Sequence, residues 1–198
     1  MERYELPKEW KWIKIGDRNY FELIMGQSPP SNTYNINGNG LPFFQGKAEF
    51  GKLYPVAKNY CSSPMRIAVK GDVLISVRAP VGPTNLADQE CCIGRGLAAI
   101  RCINNIIPEY LLYALRNIEN NIATTVKDQG GGFTAIRRNQ LENIEIPIPP
   151  LPEQRRIAKR IEELTRRIEE IRLLIRQAES ELDTFTPALL SKAFRGEL

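Results

Sequence analysis

Hydrophobic and polar positions follow two different rhythms along this 198-residue chain, and the change falls near Pro150. Before it, apolar runs are short and bounded by Gly, Pro or Asn. LPFFQG (Leu41 to Gly46), RIAV (Arg66 to Val69), DVLISVR (Asp72 to Arg78) and LAAIRC (Leu97 to Cys102) therefore predict strands. In DVLISVR, Val73, Ile75 and Val77 alternate with Leu74, Ser76 and Arg78, which predicts one core face and one partly polar face. Pro108 occupies a helix-start position, and Tyr110, Leu111, Ala114, Leu115 and Ile118 follow at helical spacing. A shorter helix is expected around Arg138 to Asn143, before strand-like Ile144 to Ile146. Two polar stretches, SPPSNTYNINGNG (Ser28 to Gly40) and QGGGF (Gln129 to Phe133), read as loops long enough to carry function. The expected class is α+β, with a mainly β globular domain over residues 1–146 and no internal repeat.

After Pro150 apolar residues recur at alternating steps of four and three. Ile161, Ile168, Ile175, Leu182 and Leu189 fall at heptad position a, and Ile157, Leu164, Ile171, Ala178 and Phe185 at d. This seam predicts a long helix with a coiled-coil partner over residues 152–198. Pro152 suits the first helical turn, and Pro187 is expected to end or kink the helix near Thr186. From Pro152 to Thr186 the rod measures roughly 50 Å at about 1.5 Å per residue. Prolines 147, 149, 150 and 152 fix φ, so residues 147–151 are expected to form an extended, stiff linker that sets the direction of the rod. The e and g positions are basic early (Arg160, Arg167, Arg172) and acidic late (Glu179, Glu181). Two copies would match opposite charges when antiparallel. Leu173 and Leu174, at f and g, widen the apolar surface beyond the seam toward a further protein partner.

Composition narrows the chemistry. With 42% hydrophobic and 25% charged residues the chain can bury a core. No run of about 18 apolar residues occurs, and MERYELPKEW lacks a signal-peptide stretch, so a cytoplasmic protein without a membrane partner is expected. Histidine is absent and Cys61, Cys91, Cys92 and Cys102 show no C-x-x-C spacing, which argues against a zinc site and for buried thiols. Ser28-Pro29-Pro30 has Ser31 where amino-methylating DNA methyltransferases carry a stacking aromatic, and no methyl-donor loop accompanies it, so it reads as a turn. The glycines 130–132 lack a phosphate-loop context. What remains is a binding surface with a net charge of +4. Gln27, Ser28, Asn32, Tyr34, Asn35, Gln45, Asn85 and Gln129 are candidates for base edges. Lys47, Arg78, Arg95, Lys127, Arg137 and Arg138 are candidates for guanines or phosphates. Ile157, Ile161, Leu164, Ile168, Ile171, Leu174, Ile175, Leu182, Phe185 and Leu189 are the candidate partner interface.

The strings GDVLISVRAPVGPTN, GRGLAAIR, GGGFTAIRRNQLENIEIPIPPLPEQRRIAKRIEEL and LLSKAFRGEL strongly resemble the specificity subunit of type I restriction-modification enzymes over nearly the whole chain. The resemblance implies a non-catalytic subunit whose target-recognition domain reads one half of a split double-stranded DNA site and whose conserved helix is a spacer. It also implies a methylation subunit that binds S-adenosylmethionine and modifies adenine, with no cofactor on this chain, and it allows a restriction subunit in the same assembly. Family members usually carry two recognition domains and two helical regions, whereas this chain carries one of each. Two readings stay open: a half-subunit that pairs with a copy of itself, or one half of a longer subunit. The rival functions are a stand-alone DNA-modifying enzyme and a coiled-coil adaptor that touches no nucleic acid.

Overall fold

A computed structural model describes residues 4–127 and 135–197, with side chains from 4–124 and 135–197. It divides the chain into two compact units, Met1–Arg155 and Arg156–Leu198.

Two sheets face each other in the first unit. One has the order β2 (Phe21–Met25), β10 (Leu97–Cys102), β7 (Val73–Ser76), β8 (Thr84–Leu86), all antiparallel. The other runs β3 (Tyr34–Asn35), β5 (Asn59–Cys61), β4 (Leu41–Phe44), β9 (Cys91–Ile93), β6 (Ile67–Ala68), with β4 and β9 parallel. Phe44, Ala68, Cys91 and Ile93 of the second sheet pack with Leu74, Leu97 and Ala99 of the first, so the core lies between them. Helix α1 (Pro108–Asn117) buries Tyr110, Leu111, Leu112 and Leu115 and touches β7, β8 and β10. It is followed by α2 (Glu119–Lys127) and by α3 (Arg138–Glu142). The ends of the unit meet where β1 (Lys11–Lys14) pairs antiparallel with β11 (Glu145–Ile148).

A mainly β globular unit followed by a long helix is the architecture expected, with several local differences. Strand β10 matches LAAIRC, whereas only Ile67 and Ala68 of RIAV are extended, and Gln45 and Gly46 leave the strand after Phe44. In β7 Val73, Leu74, Ile75 and Ser76 are all buried, because one face meets the other sheet and the other meets α1. On the face expected to be partly polar, Leu74 and Ser76 are buried and only Arg78, past the end of the strand, is exposed, and Ser76 satisfies its hydroxyl by donating to Arg78 O at 3.0 Å. The stretch Ser28 to Gly40 is not one open loop, since Ser31–Thr33 forms a 3-10 turn and β3 follows it.

An internal ion pair joins the strands. Asp72, only 1% exposed, accepts from Arg101 Nε at 3.0 Å and Nη2 at 2.9 Å and from Val69 N–H at 2.8 Å, while Arg101 Nη1 reaches Glu22 at 3.0 Å. The side-chain bond to Asp72 holds the guanidinium pKa above its ordinary value. Burial of a carboxylate is tolerated here because a bidentate cation and a backbone amide satisfy it.

The proline-rich junction is built into structure rather than strung between units. Pro147 and Ile148 belong to β11, Leu151 already belongs to α4 (Leu151–Arg195), and only Pro149 and Pro150 lie between. Pro147 O accepts the Tyr110 hydroxyl at 2.5 Å, and Pro150 O accepts the N–H groups of Glu153 and Gln154. Helix α4 passes through Pro187 and continues to Arg195, so Pro187 does not end it near Thr186. A single proline removes one donor, and the carbonyl it orphans, on Asp183, lies on an exposed stretch where water can satisfy it. The Ala- and Leu-rich sequence that follows favours helix. At about 1.5 Å per residue its 45 residues extend roughly 68 Å, beyond the 50 Å expected.

Candidate nucleic-acid interface

Three chain segments meet at one end of the paired sheets. Gly26 and Gln27, after β2, donate to Leu97 O at 2.9 Å and Ile93 O at 3.0 Å. Gly94, after β9, donates to Phe44 O at 2.8 Å. The approach is close enough to demand glycine: a Cβ on Gly26 would lie 2.2 Å from Gly94 O, and one on Gly96 would lie 2.0 Å from Gln45 O. A fourth segment joins through Val77, whose N–H donates to Gly96 O at 2.9 Å and whose carbonyl accepts from Ile136 N–H at 2.9 Å.

This junction opens a cleft of about 560 Å³ lined by Ser28, Gln45, Lys47, Glu49, Ser76, Arg78 and Arg95 with small neighbours. Ser28, Gln45, Lys47, Arg78 and Arg95 thus lie around one space although they come from widely separated stretches. Ser28 is the half-buried member, its Oγ accepting the Arg95 N–H at 3.2 Å, while Gln45, Lys47, Arg78 and Arg95 are exposed. Glu49, which composition did not single out, is turned to its own backbone and accepts the Gly46 N–H at 3.1 Å. The cleft therefore presents three cations and an amide, with its one carboxylate engaged.

The other candidates separate into distinct environments. Asn85 is fully buried in β8 and donates to Gly51 O at 2.9 Å, so it braces a loop and cannot reach a base edge. Asn35 is spent on its turn, accepting from the N–H groups of Asn37 and Asn39 and donating to Asn39 O at 2.8 Å. Tyr34 packs on Phe43 with ring centroids 4.6 Å apart and donates its hydroxyl to Pro29 O at 2.8 Å. Gln27 and Asn32 are exposed but do not line the cleft. Arg138 belongs to a separate cleft of about 370 Å³ with Arg18 and Glu22, and is held by Glu142 Oε1 at 2.7 Å and Leu23 O at 3.2 Å. Arg137 is exposed beside it, its N–H capped by Gln140 Oε1 at 2.7 Å. Lys127 is the last residue of α2, and Gln129 with the QGGGF loop lies outside the described residues.

Sequence reasoning missed Gln154. Its side chain is 1% exposed, accepts the Ile107 N–H that opens α1 at 2.9 Å, and donates to Asn105 O at 3.1 Å and Pro149 O at 3.0 Å. Within the first unit it ties the first turn of α4 to the start of α1. Nothing local distinguishes it from the charged residues around it.

The thiols offer no nucleophile. Burial pushes Cys91 up to about 12, Cys92 to about 11 and Cys102 to about 12, so all three stay protonated near neutrality, and Cys61 is buried. Among the described residues no cluster of His, Cys, Asp and Glu is placed to hold a metal ion. No described helix is long and apolar enough to cross a membrane.

Residues 7–178 match the family described as the type I restriction modification DNA specificity domain. The chain belongs to this family. A Methanocaldococcus jannaschii protein ascribed to the MjaX type I restriction enzyme as its specificity subunit is 44% identical over 167 residues, covering 83% of this chain and 39% of its own length. The HsdS subunit from Thermoanaerobacter tengcongensis superposes with a TM-score of 0.80 at 46% identity, over 98% of this chain and 47% of that one. A chain from a structure of the assembly and conformational transition of the type I R-M system gives 0.86 at 47% identity, over 98% of this chain and 48% of that one. The chain thus spans half or less of the length of these relatives. The family match extends from the first unit into the second, taking in the helix as far as residue 178.

Proposed function

We propose that this chain is a DNA-reading, non-catalytic part of a type I restriction-modification enzyme, acting in the cytoplasm. Its first unit holds one half of a bipartite double-stranded site. The observation that carries this reading is the cleft in which Ser28, Gln45, Lys47, Arg78 and Arg95 converge on a rigid, glycine-packed junction. Polar hydrogen-bonding groups beside cations are what a surface needs to combine phosphate attraction with base readout. The methyl donor S-adenosylmethionine belongs on a partner methylation subunit, and a restriction subunit joins where one is encoded.

Helix α4 supplies spacing and docking. Leu164, Ile168, Ile171, Ile175, Leu182, Phe185 and Leu189 are 41–67% exposed along the seam, and Leu174 is 63% exposed beside it. Ile157 and Ile161 continue the seam half-buried. A second such helix, from another copy or from another part of a longer subunit, covers that seam antiparallel, and the methylation subunit takes the flank around Leu173 and Leu174.

Mapping methylated adenines across the genome, with and without this chain, tests the reading. Loss of one interrupted motif is expected. A two-fold symmetric motif identifies a self-paired half, and an asymmetric one identifies half of a longer subunit. Binding of S-adenosylmethionine by the purified chain, or an unchanged methylation map when the chain is removed, would overturn it. Inserting four residues near Arg176 tests the spacer, and an unchanged spacing between half-sites would rule that role out.

A further inference from the structure

The Gly94-Arg95-Gly96 turn is held more tightly than a surface loop requires. Leu97 N–H closes it onto Gly94 O at 3.0 Å, and Arg95 N–H is fixed by Ser28 Oγ at 3.2 Å. Gly94 and Gly96 are each tied to a neighbouring segment, through Phe44 O and Val77 N–H. A Cβ on Gly94 would sit 3.2 Å from both the Phe43 ring and Ser28 Oγ, so the turn has no room to slide. The Arg95 side chain is nevertheless exposed at the cleft, without a hydrogen bond or ion pair to any described residue.

That combination separates two kinds of contact. A phosphate contact tolerates displacement, because the charge acts over several ångströms and phosphates recur along the backbone. A guanidinium fork on the O6 and N7 atoms of guanine requires placement within about 0.5 Å, and a backbone pinned on several sides fixes the Cα from which the side chain reaches. Lys47 shows the contrast: it stands on the exposed turn Lys47–Glu49 as a flexible point charge.

We infer that Arg95 is a base-reading residue that forks onto the O6 and N7 atoms of a guanine in the major groove, so that the half-site contains a G·C pair specified by this side chain. Lys47 holds a neighbouring phosphate. The inference rests on the DNA-reading function proposed above and assigns one base to one residue within it.

The test uses the complex of this chain with its methylation subunit, carrying wild-type, Arg95→Ala, Arg95→Lys or Lys47→Ala, on a library of randomised sites. Arg95→Ala should accept any base at a single position that is guanine in the wild-type motif, and Arg95→Lys, which can still donate to O6 and N7, should keep a weaker guanine preference there. The loss of discrimination in Arg95→Ala should be on the order of 10- to 100-fold, with the other positions unchanged. Lys47→Ala should weaken all sequences alike and lower the salt slope by about 1. These side chains are exposed, so thermal melting of the variants should match wild type. A half-site without a G·C pair, or Arg95 variants that lose affinity uniformly while keeping every base preference, overturns the inference and leaves the proposed function standing. A wild-type complex that methylates no motif overturns both.

Discussion

In the first unit Phe21, Phe43, Leu74, Ile93, Leu97 and Leu111 are each 1% exposed or less, whereas in the second Leu182 is 67%, Phe185 60% and Ile171 55% exposed. The residue types are the same, but their neighbours differ. A sandwich closes over its own apolar residues through contacts distant in sequence, and a lone helix has no second surface with which to do so. The first unit buries its apolar residues in its own core, while the second presents an apolar stripe that the helix cannot bury within itself.

Breaking the seam should have the largest effect. Ile168→Asp combined with Ile175→Asp is expected to abolish the proposed helix pairing, seen as a fall in mass by light scattering. The same pair of changes should move the stability of the first unit by less than about 0.5 kcal/mol. An equal loss of stability there would contradict that difference between the units.

Leu74→Ala should do the reverse, lowering stability by about 2–5 kcal/mol in urea titration while leaving pairing intact, because it opens a cavity between the sheets. Gln154→Ala follows at about 1–3 kcal/mol, since it strands the buried Pro149 carbonyl and the half-buried Ile107 N–H. A loss below about 0.5 kcal/mol would show that water replaces the amide.

Alkaline pH sharpens the comparison further. Burial lifts Cys91 and Cys102 to about 12 and Cys92 to about 11 from an ordinary 9.0, so the folded state keeps its thiol protons longer than the unfolded one. Their contribution is complete below pH 9 and is lost as pH rises through 11–12, so unfolding should take up alkali there. Cys→Ala at Cys102, the half-buried thiol, should flatten part of that dependence. Last and smallest, Glu179→Lys with Glu181→Lys should weaken antiparallel pairing by about 0.5 kcal/mol per charge pair at low salt, with little effect at 1 M salt.

Much of this was legible in the sequence because it depends on local pattern. The heptad seam, the strand LAAIRC and the helix after Pro108 follow from periodicity and from where Pro and Gly stand. The strands Lys11–Lys14, Phe21–Met25 and Cys91–Ile93 were not, being short and stabilised by pairing rather than by alternation. DVLISVR misled in detail because an alternating pattern assumes one wet face, and this strand has none. Pro187 does not end the helix, because one missing donor costs a single hydrogen bond on an exposed stretch and the good helix formers Ala188, Leu189 and Leu190 follow it.

By itself the sequence determined the two-part organisation, the apolar stripe of the helix and the stock of polar and basic residues available to a ligand. These depend on residue type and spacing alone. Tertiary structure decided which members of that stock act together. Ser28 and Arg95 are 67 residues apart and share a hydrogen bond, while Asn85, equally polar, is sealed beneath a loop. The reason is that burial and convergence are properties of a residue's neighbours, and the neighbours here are set by strand pairing across the whole unit.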